Sequence, residues 1–412
     1  MLRVKPPKMR YMDSSSLITI SVALFIILYN VPITLVMPGV VRKPLLIIGL
    51  LLFIVALCLE NILYLSVYLL AAVIIFLYFQ FSWSLKLDAA SYIFPAMVSI
   101  EMLFSMILIY DKKIRLPDLL IKFLIFVTVI TAVTSIIGLI KVPTGIRALG
   151  QAETASNASI RYMLRKSNVA GWGLLFGMAF FEGPLLHLYK QNRKAYILFV
   201  FAVNGACVFL SQLAFAILLS ASTIFFVLIN GKQKQYKARM SLFLILFLGF
   251  WIAREKILTW LYELMLKTNL SVLSLRMKNI YDLILFHDTT GDAGGRFELY
   301  SRSIETFFKN PFGLQFADKV DIYRSIGFHS EFFDLLGVFG IFSVIGIVLI
   351  ALRIKKRINR IVKIDIRRFS IIMLFAFLIM CVINPVFYHP QIWLSALLVP
   401  AVICQEYMKS IE

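Results

Sequence analysis

The uncharged run LITISVALFIILYNVPITLVM, residues 17–37, decides the class of fold. Its 21 residues match the ~20 apolar residues that an α-helix needs to cross the hydrocarbon core of a bilayer. A basic and polar start, MLRVKPPKMRYMDSSS, precedes it, and no small-x-small cleavage site follows it. The run is also too long for the apolar region of a cleaved signal peptide, so it is predicted to be the first permanent span.

The composition extends this interpretation to the whole chain. Of its 412 residues, 60% are hydrophobic and only 16% are charged, whereas an average soluble domain carries about 25% charged residues. We therefore predict an all-α polytopic membrane protein, a single transmembrane domain over residues 1–412 with about twelve helices. The predicted spans are 17–37, 41–59, 62–81, 89–110, 119–140, 169–188, 195–210, 213–230, 240–253, 332–352, 369–388 and 391–407.

The distribution of Lys and Arg predicts the orientation of these spans. With the N-terminus inside, the inner segments hold 23 of these residues, whereas the short outer connections at 38–40, 82–88, 211–212 and 389–390 hold Lys86 alone. This asymmetry predicts that both termini are cytoplasmic. It also places a large extracytoplasmic loop, residues 254–331, between the ninth and tenth spans. Most of the net charge of +20 is then a topology signal, and it does not indicate a nucleic-acid partner.

Two long outer loops are nevertheless basic, and topology does not explain this. Residues 141–168 contain Arg147, Arg161 and Arg165, and residues 254–331 contain ten Lys and Arg. The large loop carries two apolar or amphipathic segments, 257–266 and 270–286, which are predicted to lie on the outer bilayer face.

A further helix is predicted over residues 296–309, after the glycine-rich break GDAGG (291–295). Arg296 stands at its predicted start, where free backbone N–H groups plus a guanidinium would form an anion site. A solvated surface arginine explains this position equally well. Arg302 lies about 120° around the helix from Arg296, which favours a structural role.

Two other ionisable residues stand at notable positions. His329 opens the run HSEFFDLLGVFG at the outer mouth of the tenth predicted span, where an imidazole can act as a base or donate a hydrogen bond. A plain interface histidine is the alternative. Glu101 lies in the middle of the fourth span. It is either functional or, as we favour, protonated or bonded to another helix, because Lys122 lies nearer the inner end. The four cysteines show no CxxC spacing, so neither a zinc site nor a disulfide framework is predicted.

Several motifs in the outer loops resemble those of one family. They are GGRFELYSRSIETFFKNPFGLQF (294–316), FHSEFFDLLGVFGIFSVIGI (328–347), IRALG (146–150) and RKSNVAGWG (165–173). The chain resembles the O-antigen polymerase and O-antigen ligase superfamily of bacterial polysaccharide assembly in these motifs, in their order and in the large outer loop late in the chain. Two positions depart from the family pattern. Ser330 follows the histidine where Asn is frequent, and Ser211-Gln212 stand where Ser-Arg is frequent.

The resemblance implies a metal-independent glycosyltransferase without a cofactor, in the bacterial plasma (inner) membrane. Its donor would be a glycan on undecaprenyl pyrophosphate, and membrane lipid, a chain-length regulator and a flippase are candidate partners. The residues implied are His329 and Arg296 for catalysis, Arg147, Arg161, Arg165 and Arg302 for the pyrophosphate, and Glu331 for the acceptor.

Three functions are compatible with this pattern. A polymerase would extend a surface polysaccharide such as O-antigen, capsule or exopolysaccharide, and a ligase would transfer the glycan to lipid A–core or another terminal acceptor. A lipid-linked oligosaccharide flippase should have two similar halves and cations inside a membrane cavity. The chain has no internal repeat and carries its unexplained cations in outer loops. We favour the polymerase, because such chains diverge most and this one fits the shared motifs loosely.

Overall fold

The computed structural model describes residues 13–82, 90–150, 157–230, 233–267, 271–286, 292–314 and 325–408. These residues form a bundle of α-helices, and the described part contains no β-strand beyond an isolated bridge between Ile361 and Met408. The helices are α1 (Ser14–Asn30), α2 (Gly39–Glu60), α3 (Ile62–Ser82), α4 (Ala90–Tyr110), α5 (Asp118–Lys141), α6 (Gly145–Gly150), α7 (Ala158–Lys166), α8 (Trp172–Asn192), α9 (Ala195–Leu210), α10 (Ala214–Ile229), α11 (Gln233–Ile252), α12 (Arg254–Leu266), α13 (Ser271–Phe286), α14 (Asp292–Lys309), α15 (Glu331–Phe339), α16 (Ile341–Ile358), α17 (Ile364–Ile383), α18 (Pro390–Trp393) and α19 (Val399–Cys404).

Four of the described helices are long and apolar enough to cross a membrane. They are α2, α5, α17 and the Tyr92–Tyr110 part of α4. Four shorter apolar helices accompany them: Ser14–Asn30, Ile62–Leu77, Ala195–Leu210 and Ala214–Ile229. Large apolar side chains such as Leu59, Leu70 and Phe126 are exposed on these helices, as expected for a surface that faces lipid. The fold is therefore that of a helical membrane protein, as the composition predicts.

Two predicted spans are interrupted in the structure. The first, 17–37, divides at Val31, whose backbone is extended because a following proline disfavours the helical conformation. Residues Pro32–Val36 then form a 3-10 turn. The tenth, 332–352, divides at Gly340, which has a positive φ of 60°. A Cβ atom there would lie 2.2 Å from the carbonyl oxygen of Pro311, so only glycine fits this break.

Glu101 is bonded to another helix, as we favoured from the sequence. Its side chain is fully buried, and its Oε1 lies 2.7 Å from the Ser21 hydroxyl of α1. The same hydroxyl lies 2.8 Å from the carbonyl oxygen of Gly49 in α2. Lys122 is exposed elsewhere and is not its partner. Glu101 thus links α4 to α1 in the interior of the bundle, and Ser21 links α1 to α2.

The helix ends meet in two groups at opposite ends of the bundle. In one group, Arg357 at the end of α16 binds Asp111 through two nitrogens at 2.8 and 2.6 Å, and Tyr64 donates to the same carboxylate at 2.9 Å. In the other group, Gln391 donates to the carbonyl of Tyr29 at 2.8 Å. The first group lies near span ends that the sequence predicts to be cytoplasmic, and the second near span ends that it predicts to be external.

Reporter fusions test this orientation. Because the positive-inside rule assigns basic short loops to the cytoplasm, we expect fusions at residues 114, 235 and 360 to report a cytoplasmic position. Fusions at residues 155 and 310 should report an external one. Alkaline phosphatase and green fluorescent protein at each site give opposite signals and control for expression. A cytoplasmic signal at residue 310 would contradict the orientation.

Candidate functional site

The helix that carries Arg296 begins one turn earlier than predicted. The sequence predicts a start at Arg296, but α14 runs from Asp292 to Lys309 and includes Gly294-Gly295. An acidic residue in the first turn is favourable with the helix dipole, whereas glycine weakens a helix interior without preventing it. The free N–H groups of the first turn therefore belong to residues before Arg296. The prediction that Arg296 stands beside the free N–H groups of the helix start is therefore wrong.

Neutral side chains surround the guanidinium of Arg296. Its Nη1 donates to Asn384 Oδ1 at 3.1 Å, just after the end of α17. Its central carbon lies 5.6 Å from the centroid of the Phe215 ring at the start of α10, within the range of a cation–π contact. Among the described residues, no carboxylate lies within salt-bridge distance of this group. Within this part of the chain its positive charge is held in place without a neutralising partner, which suits it to binding an anion.

Tyr300 fastens the same helix to the end of α17. Its hydroxyl donates to the carbonyl of Ile383 at 2.8 Å, and its ring lies 5.5 Å from that of Phe333. Burial raises the pKa of Tyr300 above its ordinary value, although the Arg296 guanidinium beside it acts in the opposite direction. The hydroxyl therefore stays protonated at neutral pH and holds α14 at a fixed position.

The imidazole of His329 is exposed at the start of α15. Its Nδ1 lies 3.0 Å from the carbonyl oxygen of Gly327. A carbonyl can only accept, so Nδ1 carries the hydrogen of this bond, and in the neutral ring Nε2 keeps its lone pair. This tautomer can accept a proton or a hydrogen bond from a hydroxyl group.

Glu331 serves a local structural purpose in these contacts. Its side chain is buried, and Oε2 accepts from the backbone N–H groups of Val386 and Phe387 at 2.8 and 3.0 Å. Its own N–H donates to the carbonyl of Asn384 at 3.3 Å. The residue thus shapes the loop that presents the partner of Arg296, and its predicted role in acceptor binding remains a prediction.

The other predicted arginines whose side chains are described are not among the contacts of Arg296 and Asn384. Arg161 is buried and Arg165 partly buried in α7, which packs against the 3-10 turn Pro32–Val36. The side chain of Arg147 lies outside the described part of the structure. Arg302 pairs with Glu298 at 2.6 Å on the exposed face of α14. The structure therefore brings Arg296 and Glu331 together at Asn384, with His329 two residues before Glu331 in the chain. It places Arg161 and Arg165 on a separate element.

An open groove of about 730 Å³ runs along α14 beside Arg296. Aromatic and apolar side chains form most of its wall, with one carboxylate and two hydroxyl groups among them. The lining residues are Gly295, Phe297, Glu298, Tyr300, Ser301, Ile304 and Phe333. Arg296 itself does not line the groove, although its chain neighbours Gly295 and Phe297 do.

Sequence reasoning missed the neutral residues that build this site. Asn384 and Phe215 hold Arg296, yet each lies more than 80 positions from it in the chain. Phe215 follows Ser211-Gln212, the pair that departs from the family pattern, and this departure was the one signal that pointed to the α9–α10 connection. Nothing in the sequence marked Asn384.

The fold and the site define a helical membrane protein with a cationic site at one end of its bundle. Comparison with known proteins adds no family to this description, because no family model, characterised protein or solved structure matches the chain. The interpretation of the site consequently depends on its own contacts.

Proposed function

We propose that the chain is a polymerase that joins undecaprenyl-pyrophosphate-linked oligosaccharide units into a surface polysaccharide. The observation that supports this most is the Arg296 guanidinium, which pairs with no carboxylate in the described part of the chain. Asn384 and Phe215 hold it, and Asn384 also contacts Glu331 in the segment that carries His329. A pyrophosphate leaving group needs a fixed positive charge, and an attacking sugar hydroxyl needs a group that accepts its proton or orients it. Arg296 would supply the positive charge, and His329 would accept the proton or orient the hydroxyl.

The reaction is a substitution at an anomeric carbon. The hydroxyl oxygen of the acceptor unit forms a bond to that carbon as the bond to the pyrophosphate oxygen breaks. The leaving undecaprenyl pyrophosphate gains negative charge, which Arg296 would stabilise more strongly in the transition state than in the bound donor. The proton of the attacking hydroxyl would pass to Nε2 of His329.

The proposed location follows from the predicted orientation. With about twelve spans and both termini in the cytoplasm, α14 and His329 face the outer side of the plasma membrane. Lipid-linked units presented in the outer leaflet would then reach the site directly. The groove along α14 would accommodate part of the donor or acceptor beside the guanidinium.

Reconstitution tests the proposal. The purified protein in liposomes should convert lipid-linked single units, extracted from a host strain that lacks this gene, into a ladder of longer lipid-linked glycans with release of undecaprenyl pyrophosphate. Heat-inactivated protein is the control. Transfer to lipid A–core without a ladder would identify a ligase instead. Movement of the unit across the bilayer without a new bond would identify a flippase.

A further inference from the structure

A buried serine of α14 is connected to the exposed histidine through one backbone segment. Ser303 is fully buried, and its hydroxyl accepts from the N–H of Gly327 at 3.0 Å. The carbonyl of the same Gly327 accepts from Nδ1 of His329 at 3.0 Å. The two hydrogen bonds of Gly327 therefore link the Ser303 hydroxyl to the imidazole ring.

Asp334 holds this arrangement from both sides of the histidine. Its Oδ1 accepts from the Ser303 hydroxyl at 2.7 Å, and its Oδ2 accepts from the N–H of Ser330 at 3.1 Å. The Ser330 hydroxyl in turn accepts from the N–H of Phe333 and caps α15. Asp334 is only 1% exposed, whereas His329 is exposed. A buried carboxylate thus anchors the segment before the histidine through Ser303 and the residue after it directly.

Close packing prevents the segment from shifting. A Cβ atom on Gly327 would lie 2.1 Å from the carbonyl oxygen of Leu299, so the backbone here touches α14 directly. The next residue, Phe328, has a positive φ of 56°, which turns the chain sharply before His329. These two features of the backbone fix the direction of the Gly327 carbonyl that accepts from Nδ1.

We propose that Ser303 and Asp334 are positioning residues that fix the tautomer and orientation of the His329 ring. With Nδ1–H committed to Gly327, the lone pair of Nε2 is presented outward. The consequence for the rate of glycosyl transfer rests on the proposed function. The tautomer itself does not.

A double-mutant cycle tests the effect on the rate. Ser303→Ala should lower turnover by as much as roughly 100-fold, because misplacing a reacting group by about 1 Å costs this much. The KM for the donor should change little, since Arg296 is held by other residues. Ser303→Ala combined with His329→Ala should be no slower than His329→Ala alone, because coupled residues are not additive. A purely structural defect would multiply with the loss of the histidine. Asp334→Asn should show the same pattern, and it substitutes for Ser303→Ala if that variant fails to fold.

Nitrogen-15 NMR of histidine-labelled protein tests the tautomer without any substrate. The His329 signal, assigned by its loss in His329→Gln, should show a protonated Nδ1 and an unprotonated Nε2 in the neutral ring. Ser303→Ala should convert it to a mixture of tautomers. Additive rate effects with an unchanged tautomer would overturn the proposal while polymerase activity survives. An inactive wild-type protein whose tautomer still responds to Ser303→Ala would overturn the proposed function and support the positioning role.

Discussion

Arg296→Ala is expected to abolish chain extension while the protein still inserts into the membrane. Among the described residues the guanidinium has neutral partners only, so we expect its charge to be available to the departing pyrophosphate. Losing one preorganised contact to transition-state charge typically lowers the rate by about 10²–10³-fold, or roughly 3–4 kcal/mol. The length distribution of surface glycan in a complemented deletion strain measures the effect, and reconstituted protein gives the rate.

Two further substitutions separate charge from geometry at this position. Arg296→Lys should also fail, because an ammonium group cannot reproduce the planar fork that spans Asn384 and an anion. Asn384→Asp should be more harmful than Asn384→Ala, since a carboxylate 3.1 Å away would pair with the guanidinium and neutralise it.

Lys309→Ala is the matched control for these variants. Lys309 is an exposed cation on the same helix, and it pairs weakly with Glu305 at 3.9 Å. Its removal should leave the glycan ladder unchanged, since exposed ion pairs contribute about 1 kcal/mol or less. A normal ladder from Arg296→Ala at wild-type protein levels would contradict the assignment of Arg296.

His329→Ala is expected to leave lipid-linked single units with no long chains. The exposed ring presents Nε2 as an acceptor because Nδ1–H is committed to the carbonyl of Gly327. General-base catalysis contributes typically 10²–10⁴-fold to a rate. Mass spectrometry of extracted undecaprenyl-linked glycans measures the accumulation of single units.

His329→Gln distinguishes a base from a positioning group. The amide of Gln donates and accepts hydrogen bonds but takes up no proton near neutral pH. A normal rate with His329→Gln and a slow one with His329→Ala would show that the ring only orients the acceptor. A normal rate with both would contradict any role in the reaction, and His329 would then be an interface histidine.

Some features of the site were predictable because they depend on local patterns. The sequence predicted the helix that carries Arg296 and its end at Lys309, and α14 ends at that residue. The start of that helix was missed by one turn, because two glycines signal a break and their helical conformation here depends on surrounding structure. The break at Gly340 was missed for a related reason, since it depends on the carbonyl of Pro311 pressing against that position.

The partners of the charged residues were predictable only in outline. Glu101 was expected to bond to another helix, but that its partner is Ser21 depends on how α1 and α4 pack. Glu331 stood out as a carboxylate beside His329, yet its bonds to the backbone at 386 and 387 join segments 55 and 56 positions apart. The position of Glu331 next to His329 in the sequence did not predict its contact with that loop.

The sequence by itself determined the class of this protein. Apolar runs of spanning length and 60% hydrophobic residues predict a helical membrane bundle, because burying a helix in lipid depends on composition and length alone. Only the tertiary structure decided which groups share the site. Asn384, Phe215, Ser303 and Asp334 reach Arg296 or the His329 segment from separate helices. Their contacts depend on how the helices pack against one another, and the residue pattern of a single helix does not predict that packing.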